Sequence, residues 1–151
     1  MSIQPKVLMV ELVMSADRLI TSARAAQPIS GQWPPVVVLG HICENDKLNW
    51  SQRIDAMVSA RKLGQSPPHF MWFEPDGAHT ENQYKNRDLE DVAAELMASR
   101  TSLLTTLRLV EPEDWESRAT HEIFGDISLA DLLIRLLAHD EEHRASLVLF
   151  E

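Results

Sequence analysis

The segment Leu89 to Val110, LEDVAAELMASRTSLLTTLRLV, constrains the fold most. It sets Leu89, Val92, Ala93, Leu96, Leu103, Leu104, Leu107 and Val110 at three-to-four spacing down one broad face, and only an α-helix brings such positions together. Asn86 or Asp88 stands where a side-chain oxygen can cap the first turn. A helix with so wide an apolar face must be covered by others, and the rest of the chain supplies candidates. Lys6 to Ala26 carries Val7, Val10, Val13 or Met14, and Ile20 at helical spacing. Trp33-Pro34-Pro35 announces a second helix, since a proline in a first turn loses no hydrogen bond, and that helix is expected to stop at Gly64. Gly40 inside it costs about 1 kcal/mol relative to alanine, or else permits a close approach beside His41. Ser128-Leu129-Ala130-Asp131 has the form of a capping box and opens a last helix from about Leu129 to Leu149.

Between these segments lie "GQSPPHFMWFEPDGAHTENQY", read as a long connection because of its prolines and its Pro-Asp-Gly turn, and "EPEDWESRATHEIFGDI". No convincing strand alternation appears. The expected fold class is all-α: a four-helix bundle with long connections between helices two and three and between three and four, forming one domain over residues 1–151. The short link after helix one suits antiparallel neighbours. The long second link can carry the chain back across the bundle, so that helices two and three run parallel.

Charge removes some functions. A net charge of −9 works against nucleic acid as a partner, because phosphate-backbone affinity needs clustered Lys and Arg. No apolar run reaches membrane-spanning length, so no membrane is expected. The first twenty residues lack the basic and uninterrupted apolar regions of a secretory signal, and a single cysteine, Cys43, allows no internal disulfide. A cytoplasmic location and a buried, inert Cys43 are the expectations.

Chemistry concentrates in "AHDEEH". His139 and His143 are four apart and project from one helix face, as two ligands of one ion would. Alone, this pattern is equally a solvated face. It is not the zincin arrangement, because Asp140 stands where that motif needs Glu. The steps from His139 to Leu136 and Leu132, and from His143 to Leu147, are mostly apolar, which turns the pair inward. Asp140, Glu141 and Glu142 read as outward or flanking residues. A third ligand must come from His41, His69, His79 or His121. His69 and His79 lie among turn residues, His121 precedes the last helix, and His41 alone is on a predicted helix, where a hydrogen-bonded core histidine is the competing reading.

"WPPVVVLGHICENDKLNWSQRI" followed by "DWESRATHEIFGDISLADLLIRLLAHDEEHRASL" resembles the DinB-like (YfiT-like) superfamily of metal-binding four-helix bundles. The shared pattern is a Trp, an apolar run ending in His on helix two, and a late His-Asp-x-x-His on helix four. The resemblance implies a metal triad of His41, His139 and His143 and a divalent ion, commonly zinc or nickel. It also implies homodimers, and enzymes that use low-molecular-weight thiols such as mycothiol or bacillithiol.

Three imidazoles leave positions open on an ion, as catalytic rather than structural sites do. A thiol held as thiolate would give an S-transferase, and activated water a hydrolase. A non-catalytic metal-binding protein acting through a partner is the third reading. Glu44, Asp140 and Glu142 are candidates to orient an imidazole, each set against a solvated carboxylate. Arg135 either meets an anionic substrate or pairs with Asp131 at i−4. Trp50, Trp72 and Trp115 read as packing residues.

Overall fold

The computed structural model describes residues 4–149. Six helices carry the fold: α1 (Pro5–Ala25), α2 (Pro35–Asn45), α3 (Ser51–Lys62), α4 (Gly77–Tyr84), α5 (Leu89–Arg108) and α6 (Leu129–Ser146). α2 and α3 are joined without a break by a π-helical turn, Asp46–Trp50, so the two make one long rod ending at Gly64, whose φ of 66° is the left-handed stop expected there. Asp88 caps α5 by accepting from Asp91 N–H at 3.1 Å, and the Ser128/Asp131 capping box opens α6.

The helix directions follow from their contacts. Arg24 meets Glu90 and Arg100 meets the Leu12 carbonyl, so α1 and α5 are antiparallel. Ser15 meets Asp140 and Ala26 bridges Leu149, so α1 and α6 run together. Val36 to Cys43 pack with Val92 and Leu96, while Ile54 and Met57 pack with Leu103 and Leu107. The α2–α3 rod and α5 are therefore parallel, and the long second connection is a crossover.

That connection is not structureless. Its Asp76-Gly77 pair, expected as a turn, starts α4, because the Asp76 carboxylate accepts from Ala78 N–H at 3.0 Å as an N-cap does. Asp favours both roles, and the helix wins here because Thr80 and Tyr84 find buried partners. Strands were also not expected. β1 (His69–Phe70) pairs in parallel with β2 (Arg118–His121), which forms a hairpin with β3 (Gly125–Ser128). In β2 only Ala119 and His121 face inward, an alternation too weakly apolar to read as a strand.

Two other expectations change. The buried stripe of α1 is Leu8, Leu12, Ser15, Ala16, Leu19, Ile20 and Ala23, whereas Val7, Val10 and Met14 lie exposed on the other side. The periodicity is helical, but the apolar residues cover more than one face. α6 ends at Ser146 rather than Leu149, since Leu147 is extended and residues 148 and 149 pair back to the end of α1.

The core is split by a polar layer. One apolar half holds Leu8, Leu12, Ile54, Met57, Leu103 and Leu132. The other holds Leu19, Val37, Leu39, Ile42, Val92 and Leu96. Between them lies Arg100, fully buried, whose five N–H groups reach five acceptor contacts on three elements. Nε and Nη2 donate to Asp46 (3.0 and 3.2 Å), Nη1 and Nη2 to Asp140 (2.8 and 3.1 Å), and Nη1 to the Leu12 carbonyl (2.7 Å). Ser99 and Ser15 hydroxyls donate to Asp46 and Asp140 at 3.0 and 2.8 Å. Burial works against the Arg100 charge, but Asp140 and Asp46 outweigh it and hold its pKa above the ordinary value. Asp46 is pushed upward by burial, with Arg100 opposing.

Gly40 serves the close approach. The Tyr84 ring of α4 packs against this position, and a Cβ there would clash with the ring's Cγ and both Cδ carbons. Gly40→Ala is expected to cost about 1–3 kcal/mol through overpacking, more than the ~1 kcal/mol that alanine returns in helix propensity. In a Tyr84→Ala background the same change should turn neutral or stabilising. Urea denaturation of the four proteins of that cycle checks both signs.

Candidate metal centre

His41 reaches the centre from the middle of α2, and His139 and His143 reach it from adjacent turns of α6. The π-helical turn and the Arg100 layer lie immediately beside them, because Asp46 follows Asn45 on one rod and Asp140 follows His139 on the other. Tying both carboxylates to one guanidinium fixes the distance between the two helices that carry the histidines.

The three side chains offer ligand atoms that all lie within 4.8 Å of one another. His139 Nε2 is 3.4 Å from His41 Nε2 and 3.2 Å from His143 Nε2. Two imidazole nitrogens held ~2.0–2.1 Å from one ion at a tetrahedral angle are about 3.3–3.4 Å apart, so each of these two spacings matches a pair of ligands on one ion. His139 Nδ1 is buried with no partner among the described residues. That orphan costs on the order of 1–3 kcal/mol, and a strong ligand on the ring's other nitrogen would offset it. Trp33 and Trp50 flank the group, with ring centroids 5.2 Å from His41 and 6.2 Å from His139.

Electrostatics keep the donors available. Burial, with the neighbouring His143 and His139, lowers the His41 pKa to about 3. Burial and His143 lower His139 to about 4, and burial also lowers His143. All three imidazoles are neutral near pH 7, with lone pairs free for a cation. The sign for stability follows. In the unfolded chain these groups titrate near 6.5, so below that pH the unfolded state binds more protons and stability falls as the solution is acidified. Metal-free protein is expected to lose on the order of 1–2 kcal/mol between pH 7 and pH 5 through His41 alone. Chemical denaturation in chelator at the two pH values checks this, and His41→Gln should flatten the slope.

The centre opens on space. A cleft of about 750 Å³ is lined by Trp33, His41, Trp72, Phe73, Glu74, His139, Glu142 and His143 among others. A smaller cavity of about 190 Å³ adjoins it and shares Trp72, Phe73, His139 and Glu142.

Other residues singled out in the sequence fall elsewhere. His69 sits on β1 and meets the Thr120 hydroxyl at 2.7 Å, and His79 lies on α4. His121 is buried, its Nδ1 accepting from Ile123 and Phe124 N–H. Of the three carboxylates considered as orienting groups, none bonds a triad ring. Glu44 accepts from the Thr80 hydroxyl at 3.4 Å, and Glu142 is exposed at the cleft wall. Asp140, expected to be outward, is 1% exposed and belongs to the Arg100 layer. Arg135 does not pair with Asp131, whose carboxylate is taken by the capping box; it lies over the Phe124 ring at 3.9 Å. Trp72, expected to pack, is 53% exposed and forms cleft wall, while Trp50 and Trp115 do pack against the core. Cys43 is buried, and burial pushes its thiol pKa up.

No local motif points to Arg100, Asp46 and Ser99. Their signal was positional: Arg100 falls four after Leu96 and three before Leu103, in the middle of the apolar stripe.

Comparison with known proteins bears on this arrangement. No curated protein matches the chain. Among solved structures, YfiT from Bacillus subtilis, described as "a probable metal-dependent hydrolase with an unusual four-helix bundle topology", superposes with a TM-score of 0.72 at 16% identity, covering 94% of this chain and 82% of its own. A variant of a mycothiol-dependent maleylpyruvate isomerase superposes with a TM-score of 0.66 at 9% identity; the match covers 98% of this chain but 62% of that one. These likenesses establish the shared bundle fold. The family model of the DinB superfamily matches residues 11–147, and the chain belongs to that superfamily.

Proposed function

We propose that this protein is a divalent-metal-dependent enzyme of the low-molecular-weight-thiol S-transferase type, with His41, His139 and His143 as the metal ligands. The observation that carries this reading is the convergence of three neutral Nε2 donors on the wall of a cleft large enough for a whole small ligand. Zinc or nickel suits three imidazoles, and either ion supplies Lewis acidity and lowers the pKa of a thiol or water at its open positions.

The chain's own residues favour a thiol. Glu74 and Glu142 are the carboxylates on the cleft wall; both are exposed, and neither is bonded to a triad ring. A water nucleophile profits from a positioned general base, whereas a thiol, with an ordinary pKa near 8.5, ionises readily beside a cation. Trp33 and Trp72 offer flat apolar walls for the rest of the substrate. One fold neighbour is described as a probable metal-dependent hydrolase and another as a mycothiol-dependent isomerase, which supports looking for metal-dependent and thiol-using chemistry on this fold.

The test is turnover by metal-loaded protein with mycothiol or bacillithiol and a panel of electrophiles. Consumption of thiol that disappears on chelation and returns with zinc or nickel is the expected result. Thiol-independent hydrolysis of an ester or amide panel would replace the transferase reading with a hydrolase. Metal binding without either activity would leave a non-catalytic metal protein.

A further inference from the structure

The smaller cavity beside His139 has a chemistry of its own. In a chain of net charge −9, Arg18, Arg24, Arg61, Arg87, Arg100, Arg118 and Arg144 each lie within 4.0 Å of a carboxylate. Arg53, Arg108 and Arg135 have no such partner among the described residues, and of these three Arg53 and Arg135 line this cavity. Neither is loosely held. Arg53 lies over the Phe70 ring at 4.9 Å and donates from Nη2 to the Met71 carbonyl at 2.6 Å, and Arg135 is stacked on Phe124 at 3.9 Å. Aromatic faces and a backbone carbonyl position the guanidiniums without neutralising them.

The remaining lining adds polar groups with capacity left. Because His121 Nδ1 accepts two backbone N–H bonds, the ring proton is on Nε2, which makes that edge a donor. Asn49, 5% exposed, has a side-chain carbonyl with no donor. Glu142 is the one carboxylate on the lining; set against two arginines it leaves the cavity formally +1. At about 190 Å³ the space is smaller than a whole-ligand pocket and suits one end of a molecule.

We infer that this cavity is a carboxylate subsite: Arg135 and Arg53 hold the anionic end of a small organic acid, whose remainder passes over His139 into the larger cleft. The assignment rests on reading that cleft as an active site, and it adds the substrate class, a carboxylic acid bearing its reactive group a few atoms from the carboxylate. A planar guanidinium matches a carboxylate with two parallel hydrogen bonds. Trp50 and Trp72 take the apolar body, and Asn49 accepts from a hydroxyl or amide N–H near the acid.

Trp50 and Trp72 line the cavity, so tryptophan fluorescence reports its filling. The titrants are benzoate, its neutral analogue benzamide, and inorganic phosphate, each added to metal-loaded and to chelated protein. Benzoate is expected to bind at least ~10-fold more tightly than benzamide or phosphate, with or without metal. Arg135→Gln and Arg53→Gln are each expected to weaken benzoate about 10-fold while metal content and benzamide binding stay at the wild-type level. Equal binding of benzoate and benzamide by the wild-type protein would overturn the inference, and this arm needs no variant to fold. Tighter binding of phosphate would overturn the carboxylate assignment. Benzoate binding that vanishes on chelation but survives both arginine changes would put the acid on the metal and overturn it as well. Benzoate bound through Arg135 by a protein that never takes up metal would keep the subsite and reject the metal centre.

Discussion

Arg100→Met is expected to destabilise the protein by about 3–5 kcal/mol, because it leaves two buried carboxylates, Asp46 and Asp140, without their shared cation. A domain of this size has about 5–15 kcal/mol in total, so the variant should sit at the edge of folding. Arg100→Lys should also fail, since an ammonium offers three donors where five hydrogen bonds are made, and cannot face both carboxylates in one plane. Asp46→Asn should cost less than either, because it removes a carboxylate already pushed upward by burial and leaves Arg100 paired with Asp140. Urea midpoints of the four proteins check the order. Equal stability of wild-type and Arg100→Met protein would contradict the reading of this layer as the clamp between helices.

The second large effect concerns the metal. A ligand that binds only the folded state stabilises it by about 2.7 kcal/mol at a hundredfold excess over its dissociation constant. For a chain of this length that is about 5–10 °C in Tm. Chelation of the wild-type protein should therefore lower Tm by that amount, and readdition of zinc or nickel should restore it. In His41→Ala, whose own Tm is reduced by loss of a buried ring between Trp33 and the other two histidines, the increment between chelated and metal-supplemented samples should vanish. The increment, rather than the absolute Tm, separates a ligand from a core histidine.

Much of the bundle was legible because helical spacing, proline starts, caps and Gly64 are local signals. The crossover was legible from connection length. The face of α1 was not, since Val7, Val10 and Met14 are apolar yet outside. Nor was the small sheet, whose inward positions in β2 are Ala119 and His121. The π-helical turn inserts one extra residue into the α2–α3 rod and carries Asp46, Asn49 and Trp50 inward together, a change of register that no single residue announces.

At the site, His139 and His143 were visible from spacing. His41, ninety-eight residues from His139, could be picked from four candidates only by its place on a helix and by family pattern, because a contact of that separation leaves no local trace. Asp140 is hidden for the opposite reason: it stands beside Glu141 and Glu142, and an acidic triplet reads as surface, yet it is buried. Its offset of four from Leu136 places it on the buried face, and Arg100, in the middle of another apolar stripe, is the partner such a position requires.

Three histidines from two helices are proposed to hold one ion. Elemental analysis of the purified protein and of the His41→Ala, His139→Ala and His143→Ala variants, each confirmed folded by far-UV circular dichroism, tests it most directly. One equivalent of zinc or nickel in the wild-type protein, falling below about a tenth in every variant, is the predicted result. A wild-type protein without metal, or a folded variant that keeps its full equivalent, would contradict it.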